Sequence, residues 1–120
     1  MDKVLIVMTS GPETPRRCAT PFYLASVAVA MDYEAAIYFT VDGTLLLKKG
    51  VAETVYAKPD GKPISTFMSD ALEMGVQFLA CTASLELHDL QPDDLIPGTK
   101  MVGAAKMWEW AEESKTVLTF

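Results

Sequence analysis

Residues 3–41 read KVLIVMTSGPETPRRCATPFYLASVAVAMDYEAAIYFTV, and the order of their apolar segments indicates the class of fold. Its first segment, Lys3–Met8, is almost wholly apolar and rich in β-branched residues, which is typical of a strand buried on both faces. Thr14 and Pro15 then provide an N-cap and a first helical position, so we predict a helix over residues 15–32. Residues 35–41 form a second apolar strand. Strand, helix and strand in this order indicate a parallel sheet.

The rest of the chain continues the alternation of strands and helices. Residues 44–49 read as a short amphipathic segment and residues 51–63 as irregular, and Ser65 is expected to cap a helix that stops at Gly75. Further strands are predicted at 76–81, 99–102 and 115–120, and helical pieces at 84–90, 92–95 and 103–113. We therefore predict a single α/β domain over residues 1–120. Its mostly parallel, roughly five-stranded sheet would carry helices on both faces, as in Rossmann-like and flavodoxin-like folds.

Composition and charge exclude several classes of protein. The chain has 120 residues, half of them hydrophobic, and 10 basic against 16 acidic residues give a net charge of −6. That sign opposes binding to a phosphate backbone, so we expect no nucleic-acid partner. The longest strictly apolar runs have five residues, whereas a membrane helix needs roughly 17 to 25. We expect no membrane partner and a cytoplasmic location, where two cysteines are more typical of thiols than of a disulfide.

The first predicted helix has almost no polar face. A helix that is apolar all round is buried on more than one side, and the sheet of so small a domain covers only one. A second subunit is the simplest cover for the other side, so we expect a homo-oligomer. The residues concerned are Phe22, Tyr23, Leu24, Ala25, Val27, Ala28, Val29, Ala30 and Met31.

Cys81 is the leading candidate for chemistry. Open parallel sheets bind their ligands beyond the carboxyl ends of the strands, and Cys81 ends a predicted strand just before a helix. Backbone N–H groups and the positive end of that helix would stabilise a thiolate there. The alternative is that Cys81 only fills the core, because free cysteine is among the most buried residue types.

Four further residues are possible auxiliaries of such a site. Cys18 lies near the same edge of the sheet and could face Cys81. Arg16 and Arg17 oppose the dipole at the start of a helix, which favours either a nearby anion or pairing with Glu13 or another carboxylate in solvent. His88, the only histidine, follows Cys81 by about two helical turns, or roughly 10 Å, too far for direct activation of the thiol.

Several other chemistries lack support in the sequence. No glycine-rich phosphate loop follows the first strand, and no Cys-x-x-Cys pair is present. The adjacent carboxylates at residues 93–94 and 112–113 have no matching histidines. We therefore predict no cofactor and no metal.

The order of elements resembles the DsrE/DsrF-like family of small sulfur-relay proteins, which includes the TusD-type subunits. The features that carry the resemblance are the opening strand at residues 4–8, Val41-Asp42-Gly43, the segment 75–81 with its terminal cysteine, and the closing residues 116–120. The resemblance implies that Cys81 carries sulfur as a persulfide. It also implies sulfur-donor and sulfur-acceptor protein partners, and assembly as a trimer or hexamer.

The leading hypothesis is thus a sulfur carrier or sulfurtransferase that holds a persulfide on Cys81 and passes its outer sulfur to an acceptor thiol. One alternative is a non-catalytic oligomeric scaffold or binding subunit of a sulfur-relay complex. A second alternative is a redox sensor that forms a disulfide between Cys18 and Cys81.

Overall fold

Five strands form one sheet in which every neighbouring pair is parallel. The computed structural model describes all of residues 1–120. The strands are β1 (Lys3–Met8), β2 (Glu34–Phe39), β3 (Gln77–Cys81), β4 (Thr99–Val102) and β5 (Ser114–Thr119). Their spatial order is β4-β3-β2-β1-β5. The predicted α/β class is confirmed, and the sheet is wholly parallel.

The helices lie on both faces, as predicted, because the chain reverses direction across the sheet. They are α1 (Thr20–Ala30), α2 (Ile64–Glu73), α3 (Thr82–Leu87) and α4 (Ala104–Glu113). The chain steps from β1 to β4 in one direction and then returns to place β5 beside β1. Right-handed crossovers in opposite directions put α1 and α2 on one face and α4 on the other. None of these helices combines the length and apolarity needed to cross a membrane.

Side-chain alternation along the strands divides the interior into two clusters. The larger, with 21 buried residues, lies between the sheet and α1 and α2. At its centre are three aromatic rings, Phe22, Phe39 and Phe78, with centroids 5.0 to 5.9 Å apart. The smaller cluster lies under α4 and contains Leu5, Ala36, Tyr38, Leu79, Cys81 and Trp110.

Several predicted helix boundaries were wrong, for local reasons. The helix predicted over 15–32 is split into a 3₁₀ turn at Pro15–Arg17 and α1 at Thr20–Ala30. A continuous helix would lose the N–H bond of Pro21 and clash with the carbonyl four residues earlier, so α1 begins beside that proline instead. Pro63, rather than Ser65, stands at the N-cap of α2.

The other differences lie beside the carboxyl ends of the strands. The segment predicted over 44–49 is a 3₁₀ helix, Val41–Leu47. The irregular stretch 51–63 contains a further short 3₁₀ helix, Ala52–Thr54. The helical piece predicted over 84–90 is α3, which begins immediately after Cys81 and ends at Leu87. A fourth 3₁₀ helix, Pro92–Asp94, matches the piece predicted over 92–95.

The loops after β1 and β2 approach each other so closely that only glycine fits. A Cβ atom added to Gly43 would collide with the backbone carbonyl of Met8, and one added to Gly11 would collide with the carbonyl of Asp42. The obstacles are backbone atoms in both cases, so a side-chain rotation cannot relieve the clash. These contacts join the carboxyl ends of the neighbouring strands β1 and β2.

We expect Gly43→Ala to lower the free energy of unfolding by about 1 to 3 kcal/mol, because the added methyl displaces backbone. Urea denaturation at an unchanged m-value measures this loss. Gly103→Ala is the matched control, because a Cβ there meets no atom within 4 Å. A loss for Gly43→Ala no larger than for Gly103→Ala would contradict the close approach.

Candidate functional site

The site is built around Cys81, which ends β3 and is the N-cap residue of α3. Only 9% of Cys81 is exposed, so its side chain is almost fully buried at the carboxyl edge of the sheet. The register of the sheet pairs Tyr38 with Leu79, and side chains two residues apart on a strand share a face. Tyr38 therefore lies on the same face as Cys81, and the two belong to the same buried cluster.

A hydrogen-bonded network connects the end of β2 to the first turn of α3. The Ser84 hydroxyl accepts the backbone N–H of Val41 at 2.7 Å and lies 3.1 Å from the Thr40 hydroxyl. Val41 has φ 53°, a left-handed conformation that β-branched residues rarely adopt. Such strain costs about 1 to 3 kcal/mol and persists where its surroundings hold it in place. Either hydroxyl can be the donor in the contact between Ser84 and Thr40.

Two opposing effects set the pKa of the Cys81 thiol. Burial raises the pKa, because it disfavours the thiolate. Hydrogen bonds to the thiolate from the Tyr38 hydroxyl, the Ser84 hydroxyl and N–H, and the Thr40 hydroxyl lower it, and the net pKa is about 7. Burial and the hydrogen bond to Cys81 both raise the pKa of Tyr38, so the phenol stays protonated and donates. The Cys81 thiol is therefore more readily ionised than an ordinary cysteine.

Cys18 lies on the opposite face of the sheet, within the larger cluster. Its thiol is fully buried and donates to the carbonyls of Gly11 at 3.3 Å and Thr14 at 3.4 Å. Burial raises the pKa of Cys18 to about 11, despite the charge of Arg17 nearby. The two cysteines are both free and do not face each other, which contradicts the hypothesis of a Cys18–Cys81 disulfide.

Arg16, Arg17 and His88 are not among the groups that shift the pKa of Cys81. Both arginines are exposed. Arg17 donates from Nε to the Ser10 hydroxyl at 3.2 Å, and the five ion pairs of the chain include neither arginine. The predicted alternative, a pair with Glu13, is therefore absent.

His88 lies just beyond α3 and contacts the loop after β2. Its Nε2 is 3.2 Å from Oδ1 of Asp42. This is a close contact and not an aligned hydrogen bond, because the buried Nε2 has no hydrogen-bond partner. His88 therefore belongs to the packing of α3 against that loop. No group of three or more His, Cys, Asp and Glu side chains is placed to hold a metal ion.

The partners of Cys81 were missed by the sequence analysis. Ser84 could have been predicted from its spacing. It lies three residues after Cys81, and at that spacing an N3 side chain reaches back toward an N-cap residue. Tyr38 and Thr40 carried none, because their approach to Cys81 depends on which strand neighbours β3 and in what register.

The fold and the site together define a small α/β protein with a low-pKa cysteine at the carboxyl edge of a parallel sheet. Residues 2–120 match the DsrE/DsrF-like family, and the chain belongs to this family. The resemblance found in the sequence is thereby confirmed.

Individual relatives are distant in sequence. An uncharacterized protein of Methanopyrus kandleri is 26% identical over 121 residues, which cover 100% of this chain and 95% of that protein. An uncharacterized protein of Methanocaldococcus jannaschii is 27% identical over 104 residues, but the match spans only 38% of its length. The sulfur carrier protein DsrE2 of Allochromatium vinosum is 26% identical over 139 residues, covering 82% of this chain and 86% of DsrE2.

Two solved structures share the fold over their full length. The ychN protein of E. coli superposes with a TM-score of 0.83 at 19% identity. MTH1491 of Methanobacterium thermoautotrophicum superposes with a TM-score of 0.71 at 17% identity. In both cases the match covers 100% of each chain.

Alkylation of the native protein should distinguish the two cysteines. Because the thiolate is the nucleophile, we expect the rate at Cys81 to rise with pH to a plateau, with a midpoint at about 7. Ser84→Ala should move this midpoint upward, and Ser26→Ala, whose hydroxyl donates to a helix carbonyl, should leave it in place. Peptide mapping should find Cys18 labelled only after denaturation. A Cys81 midpoint near 8.5, the value of an ordinary cysteine, would contradict the site.

Proposed function

We propose that this protein is a sulfur carrier that holds sulfur as a persulfide on Cys81 and passes it to the thiol of an acceptor protein. The observation that carries the proposal is the position of Cys81 at the end of β3 and at the N-cap of α3, in one cluster with Tyr38. Hydrogen bonding there lowers the pKa of its thiol to about 7. A thiol of this kind is a nucleophile at neutral pH without needing a metal or a separate base. Its position at the carboxyl edge leaves the rim of the sheet for docking of the donor and the acceptor.

The chemistry is two successive thiol exchanges that need no external oxidant. In the first, the Cys81 thiolate attacks the outer sulfur of a donor persulfide, a new S–S bond forms at Sγ, and the donor departs as a thiolate. In the second, an acceptor thiolate attacks the outer sulfur, the bond to Sγ breaks, and its electron pair stays on Sγ. Cys81 is then a thiolate again, and the acceptor carries the persulfide.

Family membership supports this proposal but does not select the donor or the acceptor. DsrE2, a relative that covers most of the chain, carries the name of a sulfur carrier protein. The competing proposal is a non-catalytic subunit in which Cys81 fills the core, and the low exposure of Cys81 favours it. The two proposals differ in whether the native thiol reacts.

We also propose that the chain assembles as a homo-oligomer, with a trimer ranked before a hexamer. The outer side of α1 exposes Tyr23, Val27 and Met31. An apolar groove between α1 and β5 is lined by Leu24, Val27, Met31 and Leu118, among others. No helix of the chain covers β5. A second copy of the chain would bring the same apolar surface, and contact between the two copies would bury both.

Loading with inorganic polysulfide should add one sulfur atom to the wild-type protein, in a form that a reductant removes. Cys81→Ser should abolish this mass gain, because its hydroxyl cannot form a persulfide. Cys18→Ser should retain it, because Cys18 is buried on the other face. Intact-protein mass spectrometry reads all three results, and equal loading of Cys81→Ser and wild type would exclude Cys81 as the carrier.

Light scattering at micromolar concentration should show a mass above the 13.1 kDa of one chain. Met31→Glu should shift the protein to monomer, since a carboxylate without a partner costs several kcal/mol when desolvated in an interface. Ala105→Glu, on the exposed side of α4, is the matched control and should leave the assembly intact. A monomeric wild-type protein would refute the proposed assembly.

A further inference from the structure

We propose that Arg16 and Arg17 form a docking surface for an acidic segment of the protein that exchanges sulfur with Cys81. This inference rests on the proposed function, because it assigns a chemistry to the partner which that function requires. The two residues, called the arginine pair below, are adjacent and are the only arginines of the chain. They take no part in the chemistry of the thiol itself.

Neither guanidinium of the arginine pair is neutralised within the chain. Both side chains are exposed and line an open cleft together with Glu13, yet no ion pair of the chain includes them. Their one hydrogen bond runs from Nε of Arg17 to the Ser10 hydroxyl. Helix α1 begins three residues later without an acidic residue in its first turn, so its positive end adds to the same field. A carboxylate from outside the chain is the group that this arrangement lacks.

The backbone that carries the arginine pair is held in place from inside the protein. The N–H of Arg17 donates to the carbonyl of Thr14 at 3.0 Å and closes the 3₁₀ turn. The buried thiol of Cys18 donates to the carbonyls of Thr14 and Gly11, so it joins the turn to the loop after β1. Ser10, which accepts from Nε of Arg17, is only 7% exposed. Donors that are fixed before binding lose less conformational entropy when a partner arrives.

The arginine pair lies at the same edge of the sheet as Cys81. It follows β1, Cys81 ends β3, and the two parallel strands are separated only by β2, which places their ends roughly 10 Å apart. Close contacts connect them, because Gly11 packs against the carbonyl of Asp42 and the N–H of Val41 donates to Ser84. A protein interface buries about 800 Å² on each partner, a patch roughly 30 Å across. One docked partner therefore reaches both the thiol and the arginine pair.

The chemistry of the arginine pair favours an acidic protein segment over a small anion. Arginine binds carboxylates through two parallel hydrogen bonds, and it is enriched in protein interfaces, where lysine is depleted. A small ion on exposed guanidinium groups remains in contact with water and is held weakly. A segment with several carboxylates engages both arginines and adds the contacts made at Cys81. Since the net charge of −6 repels such a partner elsewhere, the arginine pair also selects the orientation in which it docks.

Nuclear magnetic resonance reads docking directly, because an isotope-labelled protein shows the Nε–H signals of only two arginines. We expect a hexaglutamate peptide without cysteine to shift both signals, and hexaglutamine to shift neither. Because the groups are exposed, added salt should reverse the shifts. Sulfate at the same concentration of charge is the test for a small-anion site. Shifts from sulfate as large as those from hexaglutamate would contradict docking of a protein segment.

The rate of thiol exchange at Cys81 connects docking to the site. The probes are peptides with one cysteine, activated as a thionitrobenzoate disulfide, and a block of glutamates about three, five or seven residues away on either side. Each has a twin with glutamines in place of the glutamates. The Cys81 thiolate attacks the peptide sulfur and releases thionitrobenzoate, whose absorbance gives the rate. We expect the wild-type protein to react faster with a glutamate peptide than with its twin.

Charge reversal should remove this advantage. An exposed pair of opposite charges changes an equilibrium by roughly 1.5- to fivefold, and a like-charge pair opposes it by a similar factor. Arg16→Glu and Arg17→Glu should therefore each slow the glutamate peptide by roughly three- to tenfold and leave the glutamine peptide unchanged. Arg16→Gln and Arg17→Gln should each lose about half of that on a logarithmic scale. Lys115→Glu is the matched control at the amino end of β5, where the side chain is 65% exposed, and should behave as wild type.

The outcomes separate this inference from the function on which it depends. If glutamate peptides shift neither arginine signal, or keep their rate advantage in both charge-reversed variants, the inference is wrong, and a Cys81 that loads sulfur from polysulfide leaves the carrier function standing. If Cys81 takes up no sulfur, the carrier function fails, while shifted arginine signals would still support the docking surface. Circular dichroism with a thermal transition near that of wild type verifies the fold of each variant.

Discussion

The site depends on the register between β2 and β3. Tyr38 stands opposite Leu79, and Phe39 stands opposite Ala80. A slip of one residue would turn every side chain of β3 to the other face and separate Cys81 from Tyr38. The register is held on the opposite face of the sheet, where the rings of Phe39 and Phe78 are 5.0 Å apart and Phe22 of α1 packs against both. Aromatic packing in the larger cluster thus keeps Cys81 on the same face of the sheet as Tyr38 and close to it.

A second constraint acts at the carboxyl edge, where the chain leaves β2. The backbone strain at Val41 is offset by its hydrogen bond to Ser84 and by the packing of Gly43 against the end of β1. The end of β1, the end of β2 and the start of α3 are therefore mutually dependent. The Ser84 hydroxyl, one turn into α3 from Cys81, is thereby held by the backbone N–H of Val41.

The two faces of the sheet are unequally covered. Because the chain makes three crossovers in one direction and a single return, α4 alone must cover the face that bears Cys81. At the edge, β5 is left open on both faces, with Val117 45% and Leu118 40% exposed. The topology that brings α4 over the smaller cluster thus also leaves an apolar edge strand beside the outer side of α1. The apolar surface on which the proposed assembly rests follows from the path of the chain.

Local patterns of apolar residues, prolines and glycines were enough to predict the class of fold, the five strands and the position of Cys81 at a strand end. The same local patterns, in their order along the chain, indicated the family. They misplaced the start of α1, where Pro21 overrides the apolar pattern, and they suggested a meeting of Cys18 and Cys81. The separation of the two cysteines by the sheet, and the position of Tyr38 on the same face as Cys81, became visible only in the folded chain. Those relations depend on strand order and register, which arise from packing between segments that are far apart in the chain.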